Sequence, residues 1–312
     1  MFNVLKYNLN LLDDWNNFVS ASKNGTFLFH RSFMEYHSDR FEDYSLLVYK
    51  KEKLVALLPA NKEGNTVYSH QGLTYGGLIL PYALSAINVF SIFDAIVSFL
   101  KVNHIEEIHI KQIPEIYCKS ATNEIAYVLG QSANLYRRDM VLAIDYAKPL
   151  NIHKTKLKHY KKAENLNLTI KEETKFDSFW SQVLEPRLLT KHNAKPVHSI
   201  NEIQLLYSRF PDKIKQFNIY YEDRILAGLT VFETATVVKS QYGATTKEGE
   251  RFRALDYLFL HLIKEYKLVG KKFFSMGTVV EDNELKFNQG LLKQKEELGC
   301  DIYTQDFFRL KL

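Results

Sequence analysis

The 312-residue sequence contains few cysteines. The two present, Cys118 and Cys300, do not form a CxxC pair, which argues against a disulfide framework and a zinc site. Free thiols are typical of a reducing compartment. We therefore expect a cytoplasmic protein, acting in the cytosol or at the inner face of the membrane, that needs no metal.

Long apolar runs are also missing. The most apolar window, residues 86–100, is short and interrupted by Asn88, Ser91, Asp94 and Ser98, so it is too polar to span a bilayer. The first six residues lack the basic start and apolar core of a secretion signal. The sequence thus predicts no integral membrane segment.

The sequence also lacks a strong excess of either charge, since 41 basic and 36 acidic residues give a formal net charge of +5. This mild excess fits an anionic small ligand such as a nucleotide or coenzyme A, whereas a DNA-binding domain usually carries a stronger basic patch. We expect no DNA partner. Ordinary fractions of hydrophobic (46%) and charged (25%) residues, together with the chain length, favour two domains.

An internal repeat with an offset of 171 residues is present. Residues 49–58 align with residues 220–229, and each segment has an aromatic start, a charged turn and an apolar strand with alanine at the same place. Further on, Val67 falls on Val238. An accidental similarity of two α/β modules is the alternative, but the shared order of elements favours a duplication.

Each half predicts a hairpin, a third strand, a loop, an amphipathic helix and a returning strand. These elements are expected at residues 45–49, 54–59, 66–71, 85–102 and around 108–110, and again at residues 217–221, 225–232, 236–243, 255–266 and 272–276. The predicted fold class is α/β (α+β), with a mixed, mostly antiparallel sheet flanked by helices in each half. We expect domains at 1–148 and 149–312, the second including a basic connecting helix at about 152–165, and a C-terminal strand that can pack back on the first domain.

Four segments carry a resemblance to a known family. They are residues 154–163 (KTKLKHYKKA) with the strand at 168–170, residues 179–198, residues 268–277 (LVGKKFFSMG) and residues 288–299 (NQGLLKQKEELG). In this order they resemble the Fem family of peptidyl and acyl transferases, which is built from two tandem GNAT acetyltransferase folds. The resemblance covers nearly the whole chain and implies a donor that is aminoacyl-tRNA, acyl-CoA or another thioester.

Two features depart from that family. No heptad run provides the coiled-coil arm of some members, and the coenzyme A loop Gln/Arg-x-x-Gly-x-Gly/Ala is replaced by residues 71–77 and 242–249. The sequence also lacks the lysine that often binds phosphate in the first domain, so His37 is a loose counterpart. These departures leave the acyl donor open.

Acyl transfer to an amine needs a base, a polarised carbonyl and two substrates in contact. The catalytic candidates are His192, Asp256 and Glu233. His192 and His198 lie in a loop after a helix, with two exposed histidines as the alternative interpretation. The alternative interpretation of Asp256 is a helix-capping residue. The alternative interpretation of Glu233 is a carboxylate that faces solvent.

The predicted acyl-donor site lies at the start of the second long helix and comprises Thr245, Gly249, Arg251 and Arg253. Two guanidinium groups at a helix N-terminus suit a diphosphate. The alternative is surface charge paired with Glu248 and Glu250. The remaining substrate-binding candidates are His30, Arg31, His37, Gln71, Tyr75, Gly76, Gly77, Lys191, His198, Gln241 and Tyr242.

The lysine-rich residues 154–162 suit phosphates or acidic lipid headgroups, although a solvated helix face is the simpler interpretation. Taken together, the sequence predicts an N-acyltransferase. Its co-substrate would be acyl-CoA or a close thioester, and its acceptor a diphosphate-containing amine of a nucleotide-linked sugar or cell-envelope precursor. The alternatives are an aminoacyl-tRNA-dependent bridge enzyme and a non-catalytic GNAT-fold binding module.

Overall fold

The computed structural model describes residues 2–312, except for the side chain of His192. The chain divides into two compact units, of which the first ends at Asp139 but also includes Tyr303–Leu312, and the second is Met140–Ile302. The boundary between the units follows residue 139 rather than residue 148, and the last strand belongs to the first unit, on which a C-terminal strand was expected to be able to pack. Division into independently folding domains stays a prediction.

The strands are given in chain order. They are β1 Phe2–Lys6, β2 Glu42–Asp43, β3 Leu46–Lys50, β4 Lys53–Leu58, β5 Asn61–Glu63, β6 Thr66–Tyr68, β7 Glu107–Lys111, β8 Asn134–Asp145, β9 Leu168–Glu173, β10 Ile214–Tyr221, β11 Arg224–Glu233, β12 Val237–Thr245, β13 Phe273–Thr278 and β14 Asp301–Lys311.

The helices alternate with these strands. They are α1 Leu12–Ala21, α2 Arg31–Met34, α3 Ala86–Val102, α4 Asn123–Ser132, α5 Lys154–Glu164, α6 Asp177–Phe179, α7 Glu185–His192, α8 Ile200–Arg209, α9 Lys247–Phe252, α10 Ala254–Leu268 and α11 Gln289–Glu297. A π-helical turn at Trp180–Leu184 joins α6 to α7, and short 3₁₀ turns occur at Leu9–Leu11, Phe27–Phe29, Glu35–His37 and Glu115–Tyr117.

The first unit contains two sheets. One has the order β1-β3-β4 and is antiparallel throughout. The other has the order β2-β5-β6-β7-β14, in which β6 and β7 are parallel and the other pairs antiparallel. The alternating residues Ile108 and Ile110 of β7 turn into the apolar core with Val89, Phe93 and Ile96 of α3, as their spacing predicts.

The second unit contains one mixed sheet with the order β8-β13-β12-β11-β10-β9. The β12–β13 pair is parallel and its neighbours are antiparallel. Helix α10 covers this sheet, and its Leu258, Leu262 and Ile263 are fully or almost fully buried in the core. The mixed, mostly antiparallel sheets with flanking helices confirm the predicted α/β (α+β) fold class.

The backbone geometry repeats at the predicted offset of 171 residues. In the first hairpin the register jumps between Val48 and Tyr49, and in the second it jumps between Ile219 and Tyr220. The turn residues Lys51 and Glu222 both adopt a left-handed conformation, with φ of 56° and 53°. β-Bulges are usually retained among related segments, so a bulge at the same place in both halves supports a duplication.

The third strand of the first half is shorter than predicted. The sequence predicts a strand at residues 66–71, but β6 ends at Tyr68 and pairs with the short strand β5, which was not predicted. In the second half, β12 does pair with the hairpin strand β11. The two repeats therefore differ in how their third strand joins the sheet.

Candidate functional site

Strands β12 and β13 separate in the second unit. Their parallel pairing ends at Lys239↔Ser275, although β12 continues to Thr245 and β13 to Thr278. The pairing of β12 with β11 also shifts here and leaves Gln241 as an extra residue. A bulge bends a strand and frees main-chain groups from the ladder, so this opening can receive a ligand.

A pocket of about 1090 Å³ follows the end of β12. This volume is slightly above the range of about 300–1,000 Å³ that ligand sites usually occupy. The lining comes from β12, α5, α7, α9, α11 and the first turn of α10. Six cations face it, and they are Lys156, Arg187, Lys191, Lys247, Arg251 and Arg253, against the two carboxylates Glu250 and Asp256.

The carboxylates near this pocket already have partners. Glu248 binds Arg224, with Nη2–Oε1 at 3.1 Å, and Glu250 binds Arg187 in a short ion pair. Among the described residues, Arg251, Arg253 and Lys247 have no carboxylate within ion-pair distance. The alternative interpretation, in which Glu248 and Glu250 neutralise the two arginines, is therefore wrong.

Helix α10 begins at this cluster. Arg253 caps it in a left-handed conformation with φ 56°, and no side chain caps the helix there. The first-turn N–H groups of a helix lack intrahelical partners and lie at the positive end of the helix dipole. Asp256 in the same turn is neutralised by Lys156, whose Nζ lies 2.7 Å from Oδ2. This end of α10 thus suits a phosphate.

Short helix α9 holds the cations in place. Its N-cap Thr246 accepts a hydrogen bond from the Gly249 N–H at 2.9 Å, and Thr245 Oγ1 donates to the Leu226 carbonyl at 3.0 Å. A Cβ on Gly249 would lie 2.2 Å from that carbonyl oxygen. Gly249, predicted to bind the cofactor, lines the pocket, and close packing of α9 on β11 is what requires a glycine there.

Two lysines at the opening between β12 and β13 lack carboxylate partners among the described residues. Half-buried Lys239 donates to Gln241 Oε1, and buried Lys295 of α11 donates to the Thr278 carbonyl at 2.7 Å. Burial, followed by repulsion from Lys295, lowers the pKa of Lys239 to about 7. Burial also lowers the pKa of Lys295 to about 8. Both can exchange protons near neutral pH.

Three predicted substrate-binding residues lie close to Lys239, two of them on β12 and one, His198, in the segment before α8. His198 is only 5% exposed, so its interpretation as a surface histidine is wrong. Its Nδ1 lies 2.5 Å from Tyr242 Oη, which also accepts the His198 N–H at 3.1 Å. Burial raises the pKa of Tyr242 to about 12. Gln241, the bulged residue, is the third.

The catalytic candidates have different surroundings. Asp256 lines the pocket and pairs with Lys156. Glu233 is not solvent-facing, because it accepts the Tyr266 hydroxyl at 2.7 Å and pairs with Lys271 at 3.0 Å, which indicates a structural role. The side chain of His192 lies outside the described residues, so its predicted role stays a prediction.

In the first unit, two candidates are held by internal contacts. Arg31 is 3% exposed and binds Glu35 and Asp43 at 2.9 and 3.1 Å, while its guanidinium stacks on Tyr7 at 3.8 Å. His30 lies 3.3 Å from Ser20 Oγ, and burial lowers its pKa. These contacts indicate that Arg31 stabilises the fold.

The other first-unit candidates surround one loop. His37 and Tyr75 are 1% exposed, and Tyr75 donates to Thr26 Oγ1 at 3.1 Å. A Cβ on Gly76 would lie 1.8 Å from the Ser69 carbonyl, and Gly77 has φ 90°, so both positions need glycine for the backbone. Gln71 exchanges hydrogen bonds with Asn61 at 2.7 and 2.8 Å and opens on a smaller pocket.

No protein-family model and no curated protein sequence matches this chain. Solved structures do match. FemX superposes with a TM-score of 0.72 at 11% identity, over 99% of this chain and 97% of FemX. The chain has a Fem-type tandem GNAT-like fold. L-PGS from Bacillus licheniformis matches with a TM-score of 0.63 at 12% identity, over 98% of this chain and 92% of that one.

A third solved structure that matches is itself a tandem GNAT protein. A tandem GNAT protein from the clavulanic acid biosynthesis pathway matches with a TM-score of 0.52 at 8% identity, over 100% of this chain and 98% of that one. At such identities the likeness shows the fold. None of the described helices combines the length and apolar character needed to span a bilayer. Within the described residues, no three His, Cys, Asp or Glu side chains are grouped to hold a metal.

Sequence reasoning missed Lys239 and Lys295 as candidate functional residues. A signal for each was present, because Lys239 interrupts the apolar start of β12 and Lys295 lies in the segment 288–299 that resembles the Fem family. The sequence alone does not show the register in which β12 and β13 pair. The end of the β12–β13 pairing, which leaves both amines without carboxylates, depends on contacts between distant segments.

Proposed function

We propose that this protein is an acyltransferase that binds acyl-CoA in the pocket of the second unit and transfers the acyl group to an amine. The observation that carries the proposal is the set of unpaired cations Lys247, Arg251 and Arg253 at the start of α10. Phosphate oxygens pair with guanidinium and ammonium groups and accept hydrogen bonds from helix N-termini. The diphosphate of the donor would lie there.

The acyl end of the donor would reach the opening between β12 and β13. There the amine nitrogen attacks the thioester carbonyl carbon, and a C–N bond forms while the carbonyl oxygen becomes an oxyanion. Lys295, mostly protonated at neutral pH, stabilises the oxyanion. Lys239, partly neutral, accepts the proton that the amine loses. The C–S bond then breaks, and the thiolate leaves and takes up a proton.

The acceptor is proposed to be an amine on a nucleotide-linked sugar or cell-envelope precursor that carries a diphosphate. His198 and Tyr242, joined by a short hydrogen bond beside Lys239, are proposed to contact it. A tyrosine hydroxyl and an imidazole ring both form hydrogen bonds with hydroxyl groups, which suits a hydroxylated sugar.

Thiol release from acetyl-CoA and longer acyl-CoAs, measured with a panel of amino-sugar nucleotides, tests this function. We expect the rate to rise with pH through about 7, where Lys239 becomes neutral, and to fall above about 8, where Lys295 loses its proton. Lys239→Met and Lys295→Met should each lower kcat by about 10²-fold or more, whereas the exposed control Lys175→Met should not. Unchanged rates in both variants would exclude these roles.

A second candidate function uses aminoacyl-tRNA as the donor. It is favoured by α5, whose Lys154, Lys158, Lys161 and Lys162 are exposed, while Lys156 of the same helix faces the pocket. It also fits the donors that the Fem-type resemblance implies. Binding of tRNA through several phosphates falls steeply with salt. Measurable tRNA affinity with a steep salt slope, without acyl-CoA binding, would replace the first proposal by this one.

A further inference from the structure

A second pocket, of about 220 Å³, lies in the first unit. It is on the face of the β6–β7–β14 sheet opposite the apolar core, because its residues Tyr68, His109 and Lys111 alternate along the strands with the core residues Val67 and Ile108. The volume is below that of drug-sized ligand sites, so it suits one small group.

Lys111 is a half-buried cation in this pocket without a carboxylate partner among the described residues. Its Nζ donates to the main-chain carbonyls of Leu73 and Gln71, and an ammonium group has three donors, so one remains. Burial, with repulsion from Arg137, lowers the pKa of Lys111 to about 8, although the charge of Asp139, which forms no ion pair with Lys111, opposes this shift.

The neighbouring carboxylates have other partners. Asp139 receives two hydrogen bonds from Arg137, at 2.7 and 2.6 Å, and Glu107 is bound by Arg309 and by His109. A half-buried cation without a counter-ion is unfavourable. An anion entering the pocket would supply the missing partner.

His70 is a strained residue at the same pocket. It is 3% exposed, has φ 67°, and its Nδ1 has no hydrogen-bond partner among the described residues. A non-glycine residue with positive φ is unfavourable and is often found at binding sites. Burial lowers the pKa of His70 to about 3, so its ring is neutral and keeps one donor and one acceptor.

Aromatic rings form the walls. The ring centroids of Tyr68 and His109 are 4.9 Å apart, those of His109 and Tyr136 are 5.5 Å apart, and those of Tyr136 and Phe307 are 6.3 Å apart. Tyr136 is exposed although it is large and aromatic. Such rings offer flat surfaces against which a ligand ring packs.

We propose that this pocket binds a small anion, a phosphate or carboxylate carried on a ring, with the anion beside Lys111 and the ring against Tyr136 and Phe307. The site goes beyond the proposed acyl transfer and does not depend on it, since every residue involved belongs to the first unit. His70 lines the same pocket.

NMR of the full chain labelled with ¹³C at the lysine ε-carbons tests the proposal, with the Lys111 signal assigned by its loss in Lys111→Met. The probes are inorganic phosphate, glucose 1-phosphate, benzoate and the neutral methyl glucoside. We expect glucose 1-phosphate or benzoate to shift the Lys111 signal saturably and to raise its pKa, and the stronger of the two identifies the anion. No saturable shift with any anion at millimolar concentration, or equal binding of inorganic phosphate and glucose 1-phosphate, would overturn it.

Calorimetry with the variants separates binding from folding. Lys111→Met and His70→Asn should each weaken binding of the preferred probe by about tenfold or more, and asparagine tolerates the left-handed backbone of His70. The exposed control Lys53→Met should bind as the wild type does. Wild-type affinity in both pocket variants, with unchanged circular dichroism, would contradict the proposal.

Discussion

At the scale of single residues, the proposed acyl transfer depends on amines that lack carboxylate partners. Lys239 is the clearest, because burial and Lys295 lower its pKa to about 7, whereas a lysine in an unfolded chain titrates near about 10.4. Between these two values the unfolded state binds more protons than the folded state. Folding stability therefore rises with pH across this window and is lowest below it.

Replacing Lys239 by methionine removes this dependence. Lys239→Met should stabilise the fold more at pH 6 than at pH 10, because it removes a half-buried charge that has no carboxylate partner among the described residues. Urea unfolding at the two pH values measures the difference, and the exposed Lys175→Met serves as the control. A variant that is equally or less stabilised at pH 6 would show that Lys239 is not held in an environment that disfavours its charge.

The cations at the start of α10 provide a second residue-scale prediction. Lys247→Met and Arg251→Met should each weaken acetyl-CoA binding by about tenfold, since a hydrogen bond to a charged group contributes about 1.5–3 kcal/mol. Lys267→Met is the matched control, because Lys267 lies exposed in the last turn of the same helix. Equal loss in all three variants would indicate a general charge effect rather than a donor site. Calorimetry measures the affinities.

At the scale of elements, the donor pocket depends on the close packing of α9 on β11. Gly249→Ala should destabilise the protein by about 1–3 kcal/mol, because the new Cβ meets the Leu226 carbonyl at 2.2 Å, and should also weaken donor binding. Gly130→Ala is the control, since Gly130 is exposed on helix α4 and nothing lies within 4 Å of the Cβ that alanine would add. Alanine there should stabilise the helix by about 0.5–1 kcal/mol. Thermal unfolding compares them.

Local patterns predicted the elements better than their partners. Helix α3 begins one residue after the predicted start, with Ser85 as its N-cap, because its apolar spacing and capping residue are local signals. The pairing of β6 with β5 rather than with the first hairpin was not predicted, since three-residue strands carry little periodicity.

The candidate site was predictable in part for the same reason. Arg251 and Arg253 were found because a helix start is visible in the sequence. The sequence did not show that Arg251 and Arg253 form no ion pairs with Glu248 and Glu250. Those carboxylates are bound by Arg224 of β11 and Arg187 of α7, which are distant in sequence. The candidate role of Lys295 likewise depends on where β12 and β13 separate.

At the scale of the whole molecule, we propose that the Fem-type tandem GNAT-like fold uses its second unit to bind a phosphate-bearing acyl donor. The bulge at Gln241, the pocket beside it and the unpaired cations all lie in that unit. A non-catalytic binding module would bind a ligand without turnover, and an aminoacyl-tRNA-dependent enzyme would bind tRNA instead.

The most direct measurement is a calorimetric titration of acetyl-CoA and a longer acyl-CoA into the wild type and into a Lys247→Met/Arg251→Met double variant. The account predicts saturable binding to the wild type that weakens by about a hundredfold in the double variant, as two independent losses add. Absence of binding to the wild type, or equal affinity in both proteins, would contradict the donor site proposed for the second unit.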